Sequence, residues 1–246
     1  MVLHTYKRLV GATLLTLLVA ACDSDNNGLG AGGQGTMPPD ATASFDVTVS
    51  NLTNGQPLSP IAVIADQATF SVFEIGQPAS AALEVLAEGG DNSDLLASAD
   101  GIAAPGGSVS GTAPIGPAGS ETVSFTVNQL ALPGLEVSVS TMLVNTNDAI
   151  TGVSDIPVGD MAIGDSLTLR AIAYDAGTEA NSETAATIPG PAGGGEGFNA
   201  ARDDIADRVS MHPGVVGVED GFATSDLTGQ HKFDNPVAQI TIVRIN

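Results

Sequence analysis

Between residues 173 and 184 the chain reads AYDAGTEANSET. Two carboxylates, Asp175 and Glu179, follow the end of an apolar run, in a chain where only 14% of residues are charged. Carboxylates held close together repel one another unless a cation lies between them. The chemistry they suggest is capture of a hard divalent ion such as calcium, which takes about six to eight oxygen ligands. The same residues also suit a solvated acidic turn, because Asp-Ala-Gly is ordinary turn chemistry.

A second loop bears on that choice. The stretch LEVSVSTMLV alternates Leu135, Val137 and Val139 with polar residues, as a half-buried strand does. It runs out near Val144 into a loop holding Asn145, Asn147 and Asp148. A return segment over about 149–164 is followed by a strand over 166–174, which runs in the first strand's direction. Asp175 is therefore expected at the same rim as Asp148, with Asn145 or Asn147, main-chain carbonyls and water as further oxygen donors.

The elements that must position these loops read mostly as strands. SFDVTVSNLT, TVSFTVNQL, SLTLRAIAY and the final VAQITIVRI each alternate apolar and polar residues. The chain's 30 glycines and 14 prolines favour many turns and short strands over long helices. One exception is PASAALEVLAEGG, where Ala82, Leu83, Leu86 and Ala87 share a helical face and Gly89-Gly90 ends it, predicting a helix over Ser80 to Glu88. A weaker helical pattern covers NAARDDIADRVS. Six or more strands with rare helices and no long repeat predict an all-β protein, an antiparallel β-sandwich over residues 43–246 with one or two short helices. Val237, Ile240, Val243 and Ile245 are too apolar for a free tail, so the final strand is expected inside a sheet.

The first 21 residues carry a basic start, Lys7 and Arg8, and an apolar run from Leu9 to Ala21 that is short for a membrane span. Val19-Ala20-Ala21-Cys22 resembles a bacterial lipobox, which implies a signal peptide over 1–21 and a lipid on Cys22. Cys22 is the single cysteine, so no intramolecular disulfide competes for it. Residues 22–42 then read as a Gly-rich tether. Asp23, Asp25, Asn27 and Gly28 imitate half of an EF-hand loop, but Gln34 stands at the twelfth position and no flanking helices are expected. The expected location is the bacterial cell envelope, lipid-anchored, at the outer membrane or cell surface rather than the inner membrane.

Charge excludes one class of partner. Seven basic residues face 28 acidic ones, a net charge of −21, so phosphate backbones are repelled and nucleic acid is not an expected partner. Enzyme motifs are absent: there is no G-x-S-x-G, no H-E-x-x-H, no P-loop and no C-x-x-C. PGPAGGGEG lacks the strand and helix that a phosphate cradle needs. His212 and His231 lie 19 residues apart in a loop-rich stretch, as flanks of a second metal site, as a hydrolase centre with nearby acids, or as plain surface loops. Asp203/Asp204 and Glu219/Asp220 are adjacent acids of the kind an acidic chain contains by chance.

Five blocks in order, PLSPIAVIAD, SVFEIGQPASAALEVLAEGGD, STMLVNTNDAITGV, AYDAGTEANSE and FDNPVAQITIVRI, together resemble the spondin N-terminal domain family over about residues 43–246. That resemblance implies a C2-like β-sandwich with a calcium site at one end. Its ligand positions fall on Asp148, Asp175 and Glu179. Glu179 replaces the family's Asp and reaches one methylene further. The implied role is a non-enzymatic extracellular binding or adhesion module, with a matrix polymer, a glycan or a surface protein as partner and the membrane held through the lipid anchor. A passive envelope scaffold is a further alternative.

Overall fold

The computed structural model describes residues 41–67, 70–201 and 206–246. The signal segment, Cys22, the EF-hand imitation, Asp203/Asp204 and all of the tether except Ala41 and Thr42 lie outside the described residues. Thr42 already opens the first strand.

Two antiparallel sheets face each other. The smaller holds β1 (Thr42–Asn51), β4 (Ser120–Asn128), β7 (Ser166–Ala171) and β10 (Ala238–Arg244), in the order β4-β1-β10-β7. The larger holds β2 (Ala62–Asp66), β3 (Ser108–Ser110), β5 (Glu136–Met142), β6 (Ala149–Pro157), β8 (Ala173–Asp175) and β9 (Ser210–Met211), in the order β3-β2-β5-β6-β8-β9. This is the expected all-β sandwich. The period-two pattern of β1 turns Ala43, Phe45, Val47 and Val49 inward, where they meet Val123 and Phe125 of β4, Val137 and Val139 of β5, and Ile240 and Ile242 of β10. Phe45 and Phe125 are directly opposite in register and stack with ring centroids 5.1 Å apart. The last strand sits between β1 and β7, inside the sheet as its apolar residues require.

The outer face of the larger sheet is covered as well. Helix α1 (Ala81–Gly89) begins where Ser80 accepts the N–H of Leu83, and it ends at Gly90 in the left-handed region, φ 71°. Leu83, Leu86 and Ala87 of α1, with Leu95 of α2 (Ser93–Ser98), pack on Ala62 and Ile64 of β2 and Ile150 of β6. β2 is thus buried on both faces, which is why its sequence is a continuous apolar run rather than an alternation. The helix expected in NAARDDIADRVS does not form in the described part of that stretch, where residues 199–201 and 206–209 are irregular and Ser210 enters β9. Pairing of β9 with β8 and burial of Val209 among the helix-side apolar residues outweigh the weak helical pattern. Among the described residues no helix is long and apolar enough to cross a membrane.

Candidate cation site

β6 is antiparallel to both β5 and β8, so β5 and β8 run the same way. The loop after β5 and the residues after β8 therefore meet at one end of the larger sheet. Ala149 pairs with Asp175, and the main-chain oxygen of Asp148 accepts the N–H of Ala176 at 3.2 Å. The two aspartates predicted to share a rim do so.

Asp148 is fully buried, deeper than an open loop carboxylate. Its Oδ2 accepts the main-chain N–H groups of Thr178 at 2.8 Å and Glu179 at 3.2 Å. Its Oδ1 is buried and has no hydrogen-bond partner. Burial and then the nearby Asp175 push its carboxyl up to about 7, against the two N–H donors that favour the ionised form. The buried Glu88 of α1 adds a smaller upward push. Asp175 is half-buried and shapes the turn: Oδ1 accepts the N–H of Gly177 at 2.9 Å and Oδ2 accepts from Asn181 Nδ2 at 2.7 Å. Gly177 has φ 72°, and a Cβ there would come within 2.5 Å of the Arg208 carbonyl oxygen, so this turn requires glycine.

The third expected ligand sits differently. Glu179 reaches Asp148 through its main-chain N–H, and among the described residues no three His, Cys, Asp or Glu side chains are grouped to hold a metal ion. The two asparagines expected as extra oxygen donors are committed elsewhere. Asn145 Oδ1 accepts the N–H of Ala192 and its Nδ2 donates to the Gly55 carbonyl. Asn147 Oδ1 accepts the N–H of Glu183 and its Nδ2 donates to Thr187. Both tie down the 181–192 segment, whose main-chain groups have no ladder to satisfy them. What does fit a cation is the unpartnered Asp148 Oδ1 beside Asp175, because a buried acceptor without a donor is costly to leave so.

Glu88 and Thr178 were not expected at this corner, and His212 was expected only as part of a separate site. Glu88 lies some sixty residues upstream on the helix face that packs on the sheet, and its Oε2 accepts the N–H of Asn199. Thr178 is buried and turns both its main-chain N–H and its hydroxyl to Asp148 Oδ2. His212 is buried too; its Nδ1 accepts the N–H of Gly214 at 3.0 Å and its Nε2 has no partner. Burial lowers the His212 pKa, opposed by the charge of Asp175. The D-A-G spacing and the directions of the flanking strands pointed to the corner; no local pattern joined Glu88 or His212 to it.

The histidines are not surface loops. His231 is also buried, and its Nδ1 accepts the N–H of Thr228 at 3.0 Å, closing a one-turn 3₁₀ segment. Burial lowers its pKa, with Glu219 opposing. The acid pair beside it is structural: Glu219 accepts the N–H of Gly229, while Asp220 pairs with Lys232 and accepts the N–H of Gly217.

Comparison with known proteins returned no matching family model and no matching curated protein.

Proposed function

We propose that this chain is an exported, lipid-anchored, calcium-binding module that acts by binding outside the cell rather than by catalysis, as its resemblance to spondin N-terminal domains implies. The observation that carries the calcium part is the buried, unpartnered Oδ1 of Asp148 beside Asp175. A divalent ion there would satisfy that oxygen and offset the burial and the repulsion from Asp175 that push the carboxyl up. Asp148 and Asp175 would hold it, with Glu179 as a third carboxylate. The ion would supply charge neutralisation and would brace the 175–179 loop against β6. The anchor part rests on the Cys22 context alone.

The alternative, a hydrolase built on His212 and His231, has less in its favour. Each imidazole spends its Nδ1 on a main-chain N–H of its own turn. Calorimetric titration of calcium into the metal-stripped protein, beside Asp175→Asn, tests the proposal. A saturable heat in the wild type that is strongly reduced in Asp175→Asn is the expected result. No heat from the wild type, or equal heats from both, would leave the corner as an acidic turn.

A further inference from the structure

The strand that delivers Asp175 opens a second feature lower down. β7 and β8 are one run of chain that changes sheets at Ile172. Above the crossing, β8 pairs with β6 over Ala149–Thr151. Below it, β7 leaves to pair with β10, and β6 from Gly152 to Pro157 has β5 on one side and no strand on the other among the described residues. The two strands diverge like a fork, and a cleft of about 750 Å³ lies between them, within the range of ligand-binding clefts.

Part of its wall is apolar, with Ser71, Glu74, Ser154, Asp155 and Arg170 supplying polar groups. Val153, Ile156 and Ile172 line it together with Phe73 and Tyr174, whose rings meet at 5.0 Å and 47°. Ile75 at its rim is 62% accessible, and outside the lining Met211, 64% accessible, stands across the ladder from Tyr174. The N–H of Gly76 bonds the carbonyl of Val209 at 2.8 Å, which holds the Ile75 loop against the residue that leads into β9. Half-buried rings beside an exposed aliphatic side chain suit an interaction surface, where Phe, Tyr and Arg are enriched.

Charge and backbone narrow the occupant. Glu74 and Asp155 line the cleft against one cation, Arg170, on a chain of net charge −21. Both the local and the global field favour a basic partner. A register shift between Val137 and Val139 marks a bulge in the β5–β6 ladder, where Asp155 takes φ 59° and its N–H bonds Ser138 Oγ. A bulge blocks extension of a long added strand, so an occupant gains only the short edge from Gly152 to Ser154 and must be anchored by side chains.

We propose that the fork between β6 and β7 binds a short extended peptide segment, which inserts an apolar side chain between Phe73, Ile172 and Tyr174 and places a Lys or Arg against Glu74 and Asp155. This names the partner class for the binding role proposed above and rests on that reading, but it uses a different site from the calcium corner.

The test uses fluorescence anisotropy with labelled six-residue peptides alternating Val with Lys, Val with Glu, or Ser with Lys, and a labelled neutral cello-oligosaccharide. The Val–Lys peptide is expected to bind best. Tyr174→Ala and the exposed-site variant Ile75→Ser, neither of which changes charge, should each weaken it by about tenfold, as loss of an interface anchor does. Ile75→Ser should keep the wild-type melting temperature, which guards against a folding defect in Tyr174→Ala. Glu74→Lys with Asp155→Asn should reverse the preference toward the Val–Glu peptide. Equal binding of Ser–Lys and Val–Lys peptides, indifference to Tyr174→Ala and Ile75→Ser, no peptide binding, or binding of the oligosaccharide in place of the peptides would each overturn the inference. Every titration is run with calcium and with chelator. Cleft binding without a calcium heat would sink the calcium reading alone, and a calcium heat without cleft binding would sink the peptide site alone.

Discussion

The carboxylate of Asp148 accepts the main-chain N–H of Thr178 at 2.8 Å, thirty residues along the chain, and so fastens the turn after β8 to the start of β6. One oxygen of that carboxylate does this work, helped by the N–H of Glu179, and the other has no partner. The residue thus has two separable roles, as an acceptor that braces a loop and as a buried charge.

Substitution separates them. Asp148→Asn keeps an acceptor oxygen for the two N–H groups and removes the charge, whereas Asp148→Ala leaves both donors without a partner. Each buried unsatisfied donor costs about 1–3 kcal/mol. Urea unfolding without metal should therefore find Asp148→Ala less stable than Asp148→Asn by about 2–6 kcal/mol. Equal stabilities would mean that the brace contributes nothing.

The buried charge predicts an unusual pH response. Asp148 has a folded pKa raised from 3.8 to about 7, so the native state binds the proton more tightly than the unfolded chain. Stability from this group is then highest below the unfolded pKa and is lost as pH rises from about 4 through about 7, by a few kcal/mol in all. His212 acts oppositely: its pKa is lowered, so stability falls as pH drops below its unfolded value of 6.5. Comparing wild type with Asp148→Asn isolates the first effect. Without metal, the advantage of the Asn variant should grow between pH 4 and pH 7 and then level off. A difference independent of pH would contradict the assignment.

Calcium should suppress that penalty. An ion that binds only the folded state stabilises it by about 2.7 kcal/mol at a hundredfold excess over its dissociation constant. Chelation should lower the melting temperature of the wild type and leave Asp175→Asn nearly unchanged. Magnesium should substitute poorly, because it demands tighter octahedral geometry. Asp175→Ala is the less clean variant, since Asp175 also accepts from Gly177 and Asn181. A melting temperature indifferent to chelation would remove calcium from the account.

The last strand should be indispensable. β10 is hydrogen-bonded to β1 on one side and β7 on the other, and its Ile240 and Ile242 are buried in the central core. Removing residues 236–246 exposes two strand edges and opens the core, so a cooperative thermal transition should vanish. A surviving sharp melt would show that the smaller sheet closes without it.

The proposed anchor is tested independently of the fold. Cys22→Ser should release the protein from the membrane fraction into the soluble fraction of the cells that make it. Unchanged fractionation would rule out a lipid on that cysteine.

Local chemistry carried much of this into the sequence itself. Alternation placed β1, β4 and β10 correctly, because one face of each meets the core and the other meets solvent or its neighbours' polar side chains. The helix at Ala81–Gly89 was legible from its apolar face and Gly89-Gly90 stop. The juxtaposition of Asp148 and Asp175 followed from counting strand directions. Tertiary structure alone decided what surrounds those acids. Helix α1 brings Glu88 to their electrostatic neighbourhood and β9 leads His212 there, over separations that no local pattern spans. Asn145 and Asn147 were turned from expected ligands into braces because an irregular segment needed their hydrogen bonds. The SLTLRAIAY run read as one strand, yet it divides at Ile172 between two sheets. That division depends on which partners lie alongside each half, β10 or β6, and it creates both the acidic corner and the cleft beneath it.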